Sequence, residues 1–284
     1  MPSRARERQL AKLAARRQAE RRAAQRRRNL VIGGIAAGVA IIALIVLASV
    51  FFGGNDESAV ASGTPSTPGA TPSGKPGTQT GTVQPTPAPA TVACGGTAPK
   101  TAGQPKPQFA GPPPMNIDPA ATYTATFETS CGTIVVELDP KTAPQTVNSF
   151  VFLADKGYFD GQYVTRLDTS IDVIQAGDPT ETGSGGPGYT IPDELTGQES
   201  YVPGVLAMAN GGPNTGGSQF FIITGPNGQK LDANPAYTIF GNIVKGLDVA
   251  QKIQQLPIED PSTGMAGQRP TQAIYFDSVT IKKS

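Results

Sequence analysis

Residues 208–224 read MANGGPNTGGSQFFIIT, and this stretch carries the strongest signal in the chain. Its first half combines glycine, asparagine and proline, which is typical of a tight loop, and its end is an apolar run typical of a strand. A second pattern comes earlier, in TRLDTSIDVIQAGDP at 165–179, where Arg166 is followed nine residues later by Gln175. Packing alone does not explain either stretch, so we predict that both contribute to a functional site.

Short strands and two helices surround these motifs. Apolar residues recur on one face of 143–156, where Pro144 lies near the first turn, and 247–256 has the pattern of a second helix. The folded part, 121–284, is long enough for one core. We predict a mainly β fold, a closed antiparallel barrel of eight strands capped by two α-helices. The predicted strands are 123–129, 133–138, 163–166, 173–176, 204–208, 220–224, 237–243 and 274–281.

The composition excludes several classes of enzyme. The chain has 284 residues, with 23 Lys and Arg against 22 Asp and Glu, two Cys and no His. Without His there is no Ser-His-Asp or Cys-His nucleophile system and no His-ligated zinc, and two Cys cannot form a four-thiolate metal site. An enzyme of this composition works with Arg, carboxylates, amides and backbone dipoles, and we expect no metal and no cofactor.

The first 52 residues have the pattern of a membrane anchor. Residues 1–29 hold ten Arg, one Lys and two Glu, whereas the 23 residues of 30–52 carry no charge. As a helix they would be about 34 Å long, enough to span a bilayer, and flanking Lys and Arg stay cytoplasmic. We predict a basic cytoplasmic segment, a single transmembrane helix at 30–52 in the cell membrane, and all later residues outside. The alternatives are a cleaved signal peptide and RNA binding by the basic arm, although we expect no nucleic-acid partner.

Residues 53–120 are rich in Pro, Thr, Ser and Gly and hold fourteen of the 27 prolines. This composition does not bury enough apolar surface to offset its ordering entropy. We predict a disordered extracytoplasmic linker whose last part, from residue 94, is extended chain against the domain. Cys94 and Cys131 both lie on the predicted outer side, where disulfides persist. We therefore predict a disulfide between them, the alternative being two free thiols.

The two motifs, together with YTIFGNIVKGLDV at 237–249, resemble the cyclophilin-type peptidyl-prolyl isomerases over 121–284. The anchor and Pro-rich stalk in front of them are similar to a bacterial membrane-anchored branch of that family. The resemblance implies a cyclophilin-like barrel and a peptidyl-prolyl cis-trans isomerase. It also implies binding of X-Pro segments of unfolded or exported proteins. With the topology predicted above, we expect a monomer that assists their folding at the outer face of the membrane.

The implied reaction suits the composition. Rotation about a peptide bond costs about 18–20 kcal/mol, because the nitrogen lone pair is delocalised into the carbonyl. No bond to another group forms, so the reaction needs no nucleophile, metal or cofactor. An apolar pocket for the proline ring and a donor to the twisted nitrogen are sufficient. A permanently charged Arg is suited to be that donor.

The resemblance also implies roles for individual residues. Arg166 is implied as the catalytic residue, the alternative being a surface Arg in a salt bridge. Gln219 matches the residue that holds this Arg and contacts the peptide. The remaining implied roles are contacts to the substrate backbone for Gln175 and Asn210, with Ala209 and Gly211 beside them, the pocket floor for Phe221, its apolar walls for Val173 and Leu231, and its edge for Tyr237.

The chain departs from the family pattern at three positions. Asp172 stands where relatives usually have a pocket aromatic, unless a shift of one residue lets Ile171 supply the wall. Lys230 stands in the place of a common Trp, and Thr165 in the place of a His. The loss of the pocket aromatic favours an alternative function, a prolyl-peptide-binding chaperone or scaffold with weak catalysis. A further alternative is a structural envelope protein with a vestigial pocket.

Overall fold

The computed structural model describes residues 79–284. The predictions for 1–29, for the transmembrane helix at 30–52 and for the first part of the linker lie outside these residues. Within the described part, no helix is both long and apolar enough to cross a membrane.

The described part is mainly β, with ten strands, two α-helices and three short 3₁₀ helices. Two strands, β1 (Gln79–Val83) and β2 (Lys106–Phe109), form a separate antiparallel pair. The other strands are β3 (Tyr123–Thr129), β4 (Gly132–Leu138), β5 (Arg166–Asp168), β6 (Val173–Ala176), β7 (Val205–Met208), β8 (Phe220–Ile223), β9 (Ile239–Lys245) and β10 (Phe276–Lys283). The α-helices are α1 (Pro144–Asp155) and α2 (Leu247–Gln254), and the 3₁₀ helices are Ala93–Gly95, Pro226–Leu231 and Pro261–Gln268.

The large sheet curls but does not close. Its strand order is β10-β3-β4-β9-β7-β8-β6-β5, with antiparallel neighbours throughout. Within residues 79–284 the edge strands β5 and β10 share no ladder, so the predicted closed barrel is wrong and the structure is an eight-stranded half-barrel. Strand β5 has three residues, all paired with β6. The chain before β5 reaches the other edge through an isolated bridge between Tyr163 and Tyr275.

Strand alternation directs apolar side chains into one main core. In β3, Tyr123, Ala125 and Phe127 are buried, while the residues between them are only half-buried. Helix α1 adds Phe150 and Leu153 to the same core. Ring centroids of neighbouring phenylalanines lie 5.0–6.0 Å apart. The rings of this cluster are Phe127, Phe150, Phe159, Phe220, Phe240 and Phe276.

Strand β8 has a different apolar cluster on each face. Phe220 and Ile222 belong to the main core, whereas Phe221 and Ile223 belong to a second cluster on the opposite face. All four residues of the strand are therefore buried. The second cluster supplies the apolar lining of the groove described below.

Residues 79–109, which we call the strap, pack against the domain. The strap consists of β1, β2 and the chain between them, and the disulfide between Cys94 and Cys131 joins it to the β3–β4 hairpin, which confirms the predicted bond. Ala93 and Phe109 are buried in the main core. Ordered chain therefore begins well before residue 121, the predicted domain boundary. A few apolar anchors and one covalent bond hold this Pro-rich segment against the domain.

Candidate functional site

A groove of about 750 Å³ opens on the face of the sheet where β5, β6 and β8 lie side by side. Arg166 pairs with Gln175 across β5 and β6, and Gln175 pairs with Phe221 across β6 and β8. Residues directly opposite on antiparallel strands lie on the same face of a sheet, which brings the three side chains together. The groove is lined by every site residue predicted from the motifs: Arg166, Val173, Gln175, Ala209, Asn210, Gly211, Gln219, Phe221, Leu231 and Tyr237.

One end of the groove is apolar. Phe221 meets the ring of Tyr237 edge-on, with ring centroids 5.1 Å apart, and Val173 and Leu231 pack in the same cluster. Tyr201, fully buried behind them, donates its hydroxyl to the Tyr237 carbonyl at 2.8 Å and accepts the Tyr237 N–H at 3.0 Å. Tyr201 thus fixes the backbone of the pocket edge. It lies in an irregular loop outside the quoted motifs, which is why the sequence did not single it out.

Arg166 is half-buried at the start of β5 and is held by three acceptors. Its Nη1 donates to Gln175 Oε1 at 3.1 Å, its Nη2 to Asp168 Oδ2 and its Nε to Gln268 Oε1. A guanidinium has five N–H donors, so one N–H on each terminal nitrogen remains for another acceptor. The ion pair with Asp168 exists as the alternative interpretation supposed, but Arg166 lines the groove rather than the open surface.

Asp168 keeps its charge although it is buried. Burial raises the pKa of the carboxyl, but hydrogen bonds from Ser170 and the charge of Arg166 outweigh burial and hold the pKa below its ordinary value. The Ser170 N–H and hydroxyl donate to Asp168 Oδ1 at 2.9 and 2.6 Å. Strand alternation could have identified Asp168, because residues two apart share a face. Gln268 lies 102 residues from Arg166 in a 3₁₀ helix, and no local pattern connects the two.

Two glutamine amides extend this network to the rim of the groove. Gln175 Nε2 donates to Gln219 Oε1 at 3.0 Å. Gln219 Nε2 in turn donates to the carbonyls of Gly185 at 2.8 Å and Gly183 at 3.2 Å. Gln219 therefore reaches Arg166 through Gln175, whereas the resemblance implied that Gln219 holds the arginine.

The side chain of Asn210 holds its own loop. Its Nδ2 donates to the Ala236 carbonyl at 2.7 Å and to Asp193 Oδ1 at 3.3 Å. The next residue, Gly211, donates its N–H to Thr215 Oγ1 at 2.9 Å. The asparagine and threonine of the MANGGPNT segment thus stabilise the loop that forms this part of the groove.

Of the two candidates for the pocket wall, Ile171 and Asp172, only Ile171 lies in the groove. Ile171 lines the groove, whereas Asp172 has a positive φ of 52° and its carboxylate accepts the Asn227 N–H at 2.8 Å. Asp172 thus closes the β5–β6 turn outside the pocket. Lys230 is exposed and donates its Nζ to the Ser170 carbonyl at 2.7 Å. The apolar wall therefore consists of aliphatic side chains.

The groove combines a permanent cation, two amides and an apolar pocket. Among residues 79–284, no three His, Cys, Asp or Glu side chains come together as a metal site. Such a set of groups can bind an apolar ring next to a peptide bond and donate hydrogen bonds to that bond. It suits a reaction in which charge is redistributed within one amide.

Comparisons with known proteins agree with this geometry. Residues 124–281 match the family model described as cyclophilin type peptidyl-prolyl cis-trans isomerase/CLD. Peptidyl-prolyl cis-trans isomerase-like 1 of Homo sapiens is 40% identical over 159 residues, 52% of this chain and 92% of that protein. Peptidyl-prolyl cis-trans isomerase A of Mycobacterium tuberculosis is 37% identical over 179 residues, 57% of this chain and 94% of that protein.

A solved structure of a cyclophilin type peptidyl-prolyl cis-trans isomerase from Cryptosporidium parvum is similar in fold. It has a TM-score of 0.50 and 28% sequence identity, and the match covers 57% of this chain and 99% of that one. The family match spans more than half of the chain and includes all of the groove residues. This chain therefore belongs to the cyclophilin-type peptidyl-prolyl cis-trans isomerase family and is an enzyme of that class.

Proposed function

We propose that Arg166 catalyses the rotation of X-Pro bonds bound in the groove, with the proline ring between Phe221, Val173 and Leu231. The observation that carries this proposal is the fixed guanidinium: three acceptors hold it beside an apolar pocket, and two of its N–H groups are left for a substrate. Burial of the ring supplies ground-state affinity, at about 25 cal/mol per Å² of apolar surface.

The guanidinium acts on the twisted state. In the planar peptide the proline nitrogen shares its lone pair with the carbonyl, so it is a poor acceptor. As the bond twists, delocalisation is lost and the nitrogen becomes pyramidal with a localised lone pair, which accepts an N–H from Arg166. Because this hydrogen bond exists only in the transition state, it lowers the barrier without tightening substrate binding. The side chain of Asn210 is engaged in its loop, so we assign contacts with the peptide to its backbone and to the amide of Gln175.

Replacing Arg166 by Lys tests whether catalysis needs the planar guanidinium group or only its positive charge. Lysine keeps the charge but places its three donors on one flexible nitrogen, which cannot satisfy Gln175, Asp168 and Gln268 together with a substrate. We expect Arg166→Lys to lower kcat/KM by about 10- to 100-fold, measured with an X-Pro peptide by a protease-coupled assay. Thermal unfolding establishes that the variant is folded. Full activity in a folded lysine variant would show that charge alone is sufficient.

We also propose that this isomerase works outside the cell membrane on exported proteins, as a monomer tethered through 30–52. The charge-free stretch and the basic residues before it support the tether and its orientation. The disulfide supports an oxidising compartment, because Cys94 is exposed to any reductant present.

A prolyl-peptide-binding chaperone with weak catalysis is the second candidate. It is supported by the aliphatic wall of Ile171 and Leu231 and by the exposed position of Lys230. The two candidates differ in stoichiometry: an isomerase accelerates exchange at a small fraction of the peptide concentration, whereas a binder changes folding only at near-equal concentrations. NMR exchange spectroscopy, which measures the rate of cis-trans exchange in the peptide, distinguishes the two candidates when it is repeated over this range of protein concentrations.

A further inference from the structure

The strap lies next to the groove without lining it. None of the residues 79–109 lines the groove, and all of them lie outside the family match at 124–281. The strap is anchored independently of the groove, by the disulfide of Cys94 and by backbone hydrogen bonds between 91–93 and Ala273 at 2.8 and 2.9 Å. Because the strap does not line the groove, it can affect the groove only through the residues of the domain that it contacts.

The strap touches the rim loop, which we define as residues 180–187. At one end of the loop, the Thr86 N–H and hydroxyl donate to the Thr180 carbonyl at 2.9 and 2.8 Å. At the other end, Gln108 Nε2 donates to the Gly186 carbonyl at 2.8 Å and the Phe109 N–H donates to the Pro187 carbonyl at 2.8 Å. The strap therefore holds the rim loop at both ends.

The rim loop needs such support because of its sequence. Residues 183–186 read GSGG, and glycine has more backbone freedom to lose than any other residue. Asp178 supplies the loop's internal support, accepting the Thr180 N–H on one oxygen and the Gly183 N–H on the other. Gly185 and Gly186 lie after the residues that Asp178 holds. The side chain of Gln108 contacts this second half of the loop through the Gly186 carbonyl.

The rim loop fixes one end of the amide network, and Arg166, which only donates, fixes the other. The carbonyls of Gly183 and Gly185 only accept, so the NH₂ group of Gln219 must face them and its oxygen must face Gln175. The NH₂ group of Gln175 then faces Gln219, and its oxygen faces Arg166. If the rim carbonyls turn away, the amide of Gln219 loses the partners that orient it.

We propose that Gln108 and Thr86 of the strap are positioning residues for isomerisation: they hold the rim loop so that its carbonyls orient Gln219, Gln175 and finally Arg166. The proposal rests on the catalytic role assigned to Arg166 above. It gives the segment before the family domain a function in catalysis, beyond that of a spacer.

The test compares two glutamines of the strap in the purified full chain. Gln108→Ala removes the contact with Gly186. Gln84→Ala is the matched control, because within residues 79–284 Gln84 Nε2 donates only to the strap carbonyl of Gly103, at 2.8 Å. We expect Gln108→Ala to lower kcat/KM by about two- to tenfold and to leave peptide affinity within about twofold, with Gln84→Ala unchanged in both. Thr86→Val, which keeps the backbone N–H and loses the hydroxyl, should show a smaller loss in the same direction.

Two further readouts separate positioning from general destabilisation. The side-chain amide resonances of Gln219 and Gln175 should shift in Gln108→Ala and stay in place in Gln84→Ala, whether or not turnover is measured. In the Gln219→Leu background, Gln108→Ala should cause no further loss of kcat/KM, because the link is already broken.

Unmoved amide resonances in Gln108→Ala, or losses that multiply in the double variant, would overturn the positioning role. These outcomes are distinct from a failure of the proposed function. In that case Arg166→Ala would keep full activity, while the amide resonances would still report on the strap.

Discussion

At the scale of single residues, the hydrogen bonds in the groove hold the long, flexible side chain of Arg166 in one conformation. An arginine loses about 1.5–2 kcal/mol of rotamer entropy when it is held in one conformation. Gln175, Asp168 and Gln268 impose that loss when the protein folds, before any substrate arrives. The guanidinium is therefore fixed before any substrate binds, which is the preorganisation that the proposed stabilisation of the twisted peptide bond requires.

A second buried group gives a pH prediction. Glu181 is buried beside the strap, and its carboxyl has a pKa raised to about 8. Burial is the main cause of the rise, and the nearby Asp178 adds to it. A hydrogen bond from the Tyr163 backbone and the charges of Lys106 and Arg269 lower the pKa but do not outweigh burial. The folded state thus keeps Glu181 protonated up to about pH 8, while the unfolded chain ionises near its ordinary value of 4.5. The stability that this proton contributes is complete below the unfolded value and is lost as pH rises towards 8.

We expect Glu181→Gln to remove this pH dependence. Glutamine stays neutral at every pH, so the Tm of the variant should exceed that of the wild type at about pH 8, and the difference should shrink or vanish at about pH 5. Thermal unfolding at both values measures it. Parallel curves for the two proteins between these pH values would contradict the assignment.

Site residues that lie within a sequence motif could be predicted from the sequence. Those that only the fold brings to the site were missed. Phe221 and Gln175 lie in continuous motifs, and adjacent strands bring them together. Gln268 reaches Arg166 from a distant 3₁₀ helix, which no sequence spacing indicates. The sequence left Asp172 and Ile171 open as the wall residue, because the position of Asp172 depends on a positive φ in the β5–β6 turn, a feature of the backbone.

At the scale of elements, most strands follow from alternation and β-branched residues. The predicted strands 123–129 and 173–176 coincide with β3 and β6, and the predicted helix at 143–156 differs from α1 by one residue at each end. The edge strand β5 was predicted at 163–166 and is found at Arg166–Asp168. Closure could not be predicted from the sequence, because it depends on whether two edges meet in space.

The disulfide gives a prediction at this scale. It closes a loop of 37 residues in sequence separation, for which the chain-entropy treatment gives about 3–4 kcal/mol of stability. Replacing both cysteines by serine should lower the free energy of unfolding by about that amount, measured with urea under oxidising conditions. A loss below about 1 kcal/mol would mean that the strap is held by its noncovalent contacts alone.

At the scale of the whole molecule, an isomerase domain follows a strap, and charge-free and basic segments precede both. Only the domain and the strap belong to the described residues. The family match covers residues 124–281 and none of the segments before the domain. If the tether is correct, the enzyme meets its clients as they emerge on the outer face of the membrane.

Fractionation of cells tests the tether. The full chain should sediment with membranes, and deletion of 1–52 should release the remainder into the soluble fraction, because the deletion removes the charge-free stretch. External protease should cut the domain of the full chain in intact spheroplasts and leave a cytoplasmic control protein whole. A full chain that stays in the soluble fraction, or a domain protected from the protease, would contradict this placement.

The proposed role of Arg166 is tested by measuring kcat/KM and peptide affinity for the wild type and for Arg166→Ala with the same X-Pro peptide. Because the proposed hydrogen bond from the guanidinium forms only to the twisted bond, we expect kcat/KM to fall by about 10²- to 10³-fold while Kd changes by less than about threefold. Thermal unfolding confirms that the variant is folded. A folded variant that isomerises the peptide at the wild-type rate, or one whose loss lies entirely in Kd, would contradict this role of Arg166.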